Sequence, residues 1–239
     1  MEFSFAENWW QFALIALVCF VLGGVNGARL FSRSKNQDIT KLGSGNPGTM
    51  NTTRVYGWKA GAAVFLFDAL KGGLPTLFGY LLYKGYVFEG TAVAVSDMAR
   101  YFCAAFIILG HIFPIMRGFK GGKGIASAFG AFWFGLSCES LWWILIGFGV
   151  AFIVLSFIYF TELGSLGSIS GVAGCTIAQA VIFLLRYQNL PFNAYLVGVY
   201  MCLFALALLP WIAHRQNLRR LFAGEEHRTS FKKFLKKKK

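Results

Sequence analysis

Charge is what this 239-residue chain has least of. Asp, Glu, Lys and Arg make up 14% of it, against roughly a quarter in soluble domains, and that shortage excludes an ordinary water-soluble globular protein. Acids are the scarcer half, 10 against 23 Lys and Arg. They form no cluster that would hold magnesium or zinc, so no metal is expected. The five cysteines, Cys19, Cys103, Cys138, Cys175 and Cys202, stand singly, without the paired spacing of a zinc or redox motif, and read as small packing residues. There is no Gly-x-Ser-x-Gly elbow and no His-Glu-x-x-His.

What the chain has in abundance is apolar length. It is 56% hydrophobic, and the apolar residues gather in runs at 9–31, 61–83, 98–116, 141–161, 169–185 and 192–213, with a shorter one at 125–137. Runs of about 20 residues span a bilayer. The first follows Glu2 and Glu7, not the basic residues of a secretory signal, so it is expected to be retained. The run at 125–137 is the weakest crossing and reads equally as a tilted or re-entrant helix. Glycines and Pro75 break the run at 61–83, residues 84–97 form a short external loop marked by Lys84, Glu89 and Asp97, and 162–170 is a turn.

The net charge of +13 is not spread over a face that nucleic acid would need; it sits in a few loops. The segments 29–59, 117–123 and 213–239 hold 19 of the 23 basic residues. By the positive-inside rule these three are cytoplasmic, which puts the N-terminus outside and the C-terminus inside, with seven crossings preferred to five. The expected fold is an all-α integral membrane protein, a compact bundle of about seven transmembrane helices with glycine-rich loops on the cytoplasmic face. Residues 1–213 form a single transmembrane catalytic domain. In the cytoplasmic segment 214–239, the stretch 214–226 joins the site and 227–239 is a polybasic, disordered arm attracted to anionic lipid.

The polar stretches concentrate at that face. Residues 41–54, KLGSGNPGTMNTTR, combine Gly43, Gly45 and Gly48 with Pro47 and with the donors Ser44, Asn46, Thr49 and Asn51, a composition suited to backbone amides converging on phosphate oxygens. Arg54 adds a bidentate fork. Residues 117–124 bring Lys120, Gly121, Gly122, Lys123 and Gly124 to the start of a helix, where charge, amides and helix dipole would together hold a dianion. It is not a P-loop: the spacer before Gly-Lys is absent, and Gly124 replaces the magnesium-binding hydroxyl. Asp68 and Lys71 lie three apart on one helical face, where burial in lipid makes pairing the cheapest arrangement.

Solvated loops have no need to repeat glycine, asparagine and cation four times at one membrane face. A shared site for a phosphorylated substrate at the lipid boundary explains the set. With no metal and no activated nucleophile in view, the fitting chemistry is group transfer from an activated donor, with cations and amides stabilising a departing phosphate and an oxyanion. No histidine is followed five positions later by Asp; Met116, Arg219 and Lys232 stand there, so the motif of acyl-thioester-dependent glycerolipid acyltransferases is missing. A transporter of an organic phosphate is the rival reading, but it would place ionisable groups near the midplane in two repeated halves. A membrane scaffold leaves the glycine loops unexplained.

Four motifs, GSGNPG-x2-N-x2-R (43–54), D-x2-KGG-x-P (68–75), GH-x-FP-x4-FKGGKG-x-A (110–126) and HR-x-N-x2-RL-x2-GEE (214–226), resemble in order and spacing those of the bacterial acyl-phosphate:glycerol-3-phosphate acyltransferases, the PlsY family. The resemblance implies transfer of a fatty acyl group from acyl phosphate to the sn-1 hydroxyl of glycerol 3-phosphate. Lysophosphatidic acid and phosphate would be formed in the bacterial inner membrane by a monomer, with no cofactor. It implies catalytic roles for Ser44, Arg54, His111, Lys123 and Asn217. Substrate contacts are implied for Gly43, Gly45, Asn46, Gly48, Asn51, Lys71, Lys120, Gly121, Gly122, Gly124, Ser168, His214 and Glu226. His111 is the protein group to consider first as general base, with the substrate's own phosphate as the alternative. Two departures stand out: Met50 occupies the place of a family threonine, whose hydroxyl role is lost or shifted to Thr49, and Gly24-Val25-Asn26-Gly27 replaces the family's Gly-Ser-Ile-Pro.

Overall fold

The computed structural model describes residues 1–226 and residue 228; the rest of the polybasic arm expected at 227–239 lies outside the described residues. Among the described residues the chain forms ten α-helices: α1 (Phe5–Gly23), α2 (Gly27–Arg33), α3 (Thr49–Tyr56), α4 (Trp58–Leu82), α5 (Val95–Ile112), α6 (Ile125–Ser137), α7 (Ile144–Thr161), α8 (Gly164–Tyr187), α9 (Ala194–Ala213) and α10 (Arg215–Phe222). One short parallel pair, β1 (Glu2–Phe3) with β2 (Val87–Phe88), ties the start of the chain to the α4–α5 connection. Six spans are long and apolar enough to cross a membrane, and α6 is a shorter apolar helix beside them, so this is an all-α integral membrane protein. Side chains such as Phe152 and Phe160, 72% and 78% exposed, face outward because lipid, not water, is their solvent.

α5 is the central staff, packed against α1, α4, α6 and α9 and buried along much of its length. α4 lies against both α5 and α6. Its contact with α6 is close because glycines face backbone on both sides: a Cβ on Gly72 would stand 2.0 Å from the Ser127 carbonyl oxygen, and one on Gly130 would stand 1.9 Å from that of Ala69.

α6, at 13 residues, extends about 20 Å, short of a hydrocarbon core of about 30 Å. A buried charged cluster closes the gap at its far end. Arg100 of α5 donates to the Gly135 carbonyl (2.8 Å), to Asp97 (2.7 Å) and to Glu139 just beyond α6. Arg186 at the end of α8 bonds the same two acids, Tyr187 donates to Asp97 (2.6 Å) and Gln179 to Glu139 (2.9 Å). Burial works against the Glu139 carboxylate, but Arg100, Arg186 and Gln179 outweigh it and hold its carboxyl below the ordinary value.

Several expected boundaries move. The first span, expected at 9–31, covers Phe5–Arg33 but is not one helix: Gly24 to Asn26 break it after Gly23, and the Asn26 side chain caps α2 by accepting from the Arg29 amide (2.9 Å). α4 runs unbroken through Gly72, Gly73 and Pro75; close packing by α6 is what those glycines serve. Asp97 is not a loop marker but a buried member of the α5 first turn. The turn expected at 162–170 shrinks, since α8 already begins at Gly164, and the glycine-rich stretch turns helical at Thr49.

Candidate active site

The break between α1 and α2 is the floor on which the polar segments meet. Lys71 of α4 reaches into it, with Nζ 3.1 Å from the Gly23 carbonyl oxygen, 2.7 Å from that of Val25 and 2.8 Å from His111 Nδ1 of α5. Asp68 Oδ1 lies 3.3 Å away as its counter-ion and accepts from the Gly27 amide (3.3 Å). The expected Asp68–Lys71 pair therefore forms, and it also joins three helices. An ammonium has three hydrogens and no lone pair, so His111 Nδ1 accepts and the ring proton resides on Nε2.

That Nε2 faces the glycine loops. A Cβ on Gly122 would stand 2.3 Å from His111 Nε2 and 3.0 Å from the Pro47 carbonyl oxygen; only glycine lets the 118–124 loop lie this close to both. Asn26 Nδ2 also donates to the Pro47 carbonyl (2.9 Å). The amides of Gly121 and Gly122 bond back to the carbonyls of Ile112 (3.1 Å) and His111 (3.1 Å), which fixes the loop under the end of α5. Segments 43–48, 68–71, 110–112 and 118–124 thus come together, as their shared composition predicts.

Within 43–54 the chain is held by Asn51. It is buried; its Oδ1 accepts from the Ser44 amide (2.8 Å), and its Nδ2 donates to the carbonyls of Leu42 (2.9 Å) and Ile39 (3.3 Å). Asn51 is therefore a brace for the loop. Gly43 and Gly45 adopt positive φ, Asn46 accepts through its carbonyl from the Gly48 amide (3.0 Å), and the Ser44 side chain is exposed. Arg54 sits half-buried in the last turn of α3, and among the described residues its side chain has no ion pair or hydrogen bond. The Thr49 hydroxyl is buried and unpaired among the described residues.

The second half of the site belongs to the C-terminal segment. Lys123 Nζ bonds Asn217 Oδ1 of α10. Asn217 Nδ2 donates to Glu226 Oε1 (2.8 Å), which also accepts from Ser165 of α8 (2.6 Å), and Arg220 Nε stands 3.4 Å from the other Glu226 oxygen. Burial pulls the Lys123 ammonium down to about 8, against Glu226, which raises it, and with Arg220, which lowers it further. Burial opposes the Glu226 carboxylate, but Ser165, Asn217, Arg220 and Lys123 prevail and keep its carboxyl below the ordinary value. His214, buried at the start of α10, has Nδ1 2.8 Å from the Pro210 carbonyl oxygen. That nitrogen must donate, leaving Nε2 as an acceptor. Burial first, then Lys123, push His214 down to about 4, so it is neutral near pH 7.

Not every expected residue joins. Ser168 spends its hydroxyl on the Gly164 carbonyl (2.7 Å) inside α8; Ser165, one turn earlier, is the serine that touches Glu226. Lys120 has an exposed side chain, and its carbonyl accepts from Arg29 (3.2 Å). Gly124 takes a left-handed conformation (φ 76°) and opens α6. Ser165, Asn26 and Arg220 were not among the candidate site residues, and Asp68 was expected only as the partner of Lys71. For Asn26 the departure from Gly-Ser-Ile-Pro was a signal; for Ser165 none existed. Among the described residues no three His, Cys, Asp or Glu converge as a metal site would require.

Comparison with known proteins places this arrangement in context. Residues 13–224 match the family model for glycerol-3-phosphate acyltransferase. The glycerol-3-phosphate acyltransferase of Finegoldia magna is 34% identical over 220 residues, 92% of this chain and 96% of that protein, and that of a Thermoanaerobacter species is 32% identical over 224 residues, 93% and 98%. Among solved structures, the crystal structure of PlsY, an integral membrane glycerol 3-phosphate acyltransferase, in its glycerol 3-phosphate form is similar with a TM-score of 0.72 and 26% identity, over 94% of this chain and 98% of that one. Its lysophosphatidic acid form is similar with a TM-score of 0.70.

Proposed function

Since the chain belongs to the glycerol-3-phosphate acyltransferase family, we propose that it takes its acyl group from acyl phosphate and releases lysophosphatidic acid and inorganic phosphate. The observation that carries this reading is the meeting of the 43–48 loop, Lys71, His111 and the 118–124 loop, with Lys123 tied to Asn217 and Glu226. Two phosphates need two cationic stations, and Arg54 and Lys123 are the two motif cations proposed for them: among the described residues one has no ion pair of its own and the other is bound to a neutral amide.

In the proposed reaction the sn-1 hydroxyl oxygen attacks the acyl carbonyl carbon. The carbon–oxygen bond to phosphate breaks, and phosphate leaves with the electron pair. Ser44 and the amides of its loop orient the carbonyl and stabilise the oxyanion, with the unpaired Thr49 hydroxyl as a further donor that compensates for Met50. The hydroxyl proton goes to a phosphate oxygen of the bound substrates. His111 has no acceptor nitrogen for it, since Lys71 occupies Nδ1 and Nε2 bears hydrogen; His214 is too weak a base at about 4. His111 Nε2 then donates, and His214 Nε2 accepts from the hydroxyl and aligns it.

The lopsided distribution of Lys and Arg supports placing this site at the cytoplasmic side of the bacterial inner membrane, N-terminus outside, with 1–213 as the catalytic domain and 214–226 completing the site. The protein is proposed to work as a monomer, in which Asn217, Glu226 and Ser165 of the same chain suffice to hold Lys123. Purified protein given labelled glycerol 3-phosphate with palmitoyl phosphate, palmitoyl-coenzyme A or palmitoyl-acyl carrier protein tests the reading. Labelled lysophosphatidate from palmitoyl phosphate alone is the expected result. Product from a thioester donor alone, or vesicle exchange of glycerol 3-phosphate without product, overturns it.

A further inference from the structure

Beside the site, on the outer flank of the α1–α2 break, lies a second polar cavity. It measures 280 Å³ and is lined by Arg29, Ser32, Arg33, Gln37, Asp38 and Arg117. Three guanidinium groups from two distant parts of the chain share it with a single carboxylate. Asp38 Oδ1 accepts from the Thr40 amide (3.0 Å) and the Thr40 hydroxyl (2.8 Å), and among the described residues the carboxylate attracts Arg29 but forms no direct ion pair with any of the arginines. Arg33 and Arg117 have no ion-pair or hydrogen-bond partner through their side chains among the described residues, and Arg29 has only the Lys120 carbonyl (3.2 Å). Like charges gathered around a cavity repel one another, and the arrangement is stable with an anion between them.

The rim shows what kind of anion. Leu30, Ile115, Met116 and Phe119, next to Arg29 and Arg117 along the chain, are 48%, 61%, 83% and 59% exposed. Ile115 and Met116 belong to the same three-residue turn as Arg117, and Phe119 follows it with positive φ (60°). Arginines flanked by exposed large apolar side chains match a lipid headgroup with its chains alongside, where a free aqueous anion would have no use for the apolar rim. The volume lies at the lower end for ligand cavities, about 300 Å³, and suits a headgroup.

We propose that Arg29, Arg33 and Arg117 form a binding site for an anionic phospholipid, its phosphate in the cavity and its acyl chains against Leu30, Ile115, Met116 and Phe119. The site is separate from the acyl-transfer machinery and does not depend on that reading. It touches that machinery at one point, where Arg29 holds the carbonyl of Lys120 at the head of the glycine loop. A phosphate bound there draws on Arg29, which holds the Lys120 carbonyl, and on Arg117, which directly precedes Gly118, and so steadies the start of the loop.

The test is lipid retention by the full-length detergent-purified protein, measured by native mass spectrometry with dioleoyl-phosphatidylglycerol and dioleoyl-phosphatidylcholine. Phosphatidylglycerol is expected to be retained preferentially, and Arg33→Gln/Arg117→Gln to lose that preference about tenfold. A control that removes equal charge elsewhere on the same polar segment, Lys35→Gln/Lys59→Gln, is expected to keep it. Single Arg117→Gln, on an exposed turn, serves if the double variant fails to fold, with an expected loss of severalfold. Retention unchanged by the arginine substitutions, or lost equally in the lysine control, overturns the site. Displacement of the lipid by equimolar inorganic phosphate shows a free-phosphate site and overturns the lipid assignment.

Discussion

Lys71 Nζ stands 2.8 Å from His111 Nδ1, and this contact decides what the histidine does. An ammonium that already donates to the Gly23 and Val25 carbonyls presents only hydrogen to the ring, so His111 Nδ1 accepts and Nε2 carries the hydrogen, which fits the proposed donor role. His214 is the reverse, with Nδ1 donating to Pro210 and Nε2 accepting. Two histidines in one site thus carry opposite tautomers, each set by a main-chain or lysine partner.

If His111 donates through Nε2, Gln should replace it better than Ala. His111→Ala is expected to lower kcat/KM by about 100-fold, the scale of one lost donor to developing charge, and His111→Gln to recover most of that loss. Steady-state kinetics on both variants decides it: equal inactivity would return the proton-acceptor role to His111.

Lys123, lowered to about 8 by burial, should lose its charge in the empty enzyme as pH rises through that value. Phosphate binding needs the cation, so kcat/KM is expected to fall above about pH 8, and Lys123→Arg to carry whatever activity it retains to higher pH, since a guanidinium stays charged. The stability effect has the opposite sign. Between about 8 and the ordinary value of 10.5 the unfolded chain binds the proton that the folded chain has released, so this group increasingly favours folding as pH rises. A pH profile of Lys123→Arg with the same alkaline limb as the parent would contradict the assignment.

Two glycines should fail differently. A methyl at Gly122 meets His111 Nε2 and the Pro47 carbonyl, so Gly122→Ala is expected to cost activity at least tenfold with little change in melting temperature. Gly130→Ala drives α6 off α4 and should destabilise the bundle by about 1–3 kcal/mol. Thermal unfolding in detergent alongside turnover separates the two; matched effects in both assays would deny Gly122 its local role.

At the far end of the bundle, Arg100→Met leaves Asp97 and Glu139 sharing one remaining guanidinium, that of Arg186. Breaking a buried charge network in this way costs about 3–5 kcal/mol. Denaturant unfolding should show it, and a loss below about 1 kcal/mol would show that Arg100 is dispensable to the short α6.

The spans and the glycine loops were legible because apolar runs and phosphate-cradle composition are local properties. The pairing of Asp68 with Lys71 was legible too, from helical spacing. What escaped reading was long-range. Asp97 looked like a polar loop marker, and only the way α5, α6 and α8 come together makes it and Glu139 partners of Arg100 and Arg186. Ser165 displaced Ser168 because α8 starts at Gly164, a boundary that no glycine or serine in 162–170 announces. The role of Asn51 as a brace, too, depends on where Ile39 and Leu42 come to lie.

The account rests on loops far apart in the chain sharing one membrane face and one site. Its most direct test uses a cysteine-free background carrying Ser44→Cys or Lys120→Cys, both positions having exposed side chains, and a membrane-impermeant maleimide applied to right-side-out and inverted vesicles. Both cysteines are expected to react from the cytoplasmic side only. Reaction from opposite sides would separate the two glycine loops by a bilayer and contradict the shared site.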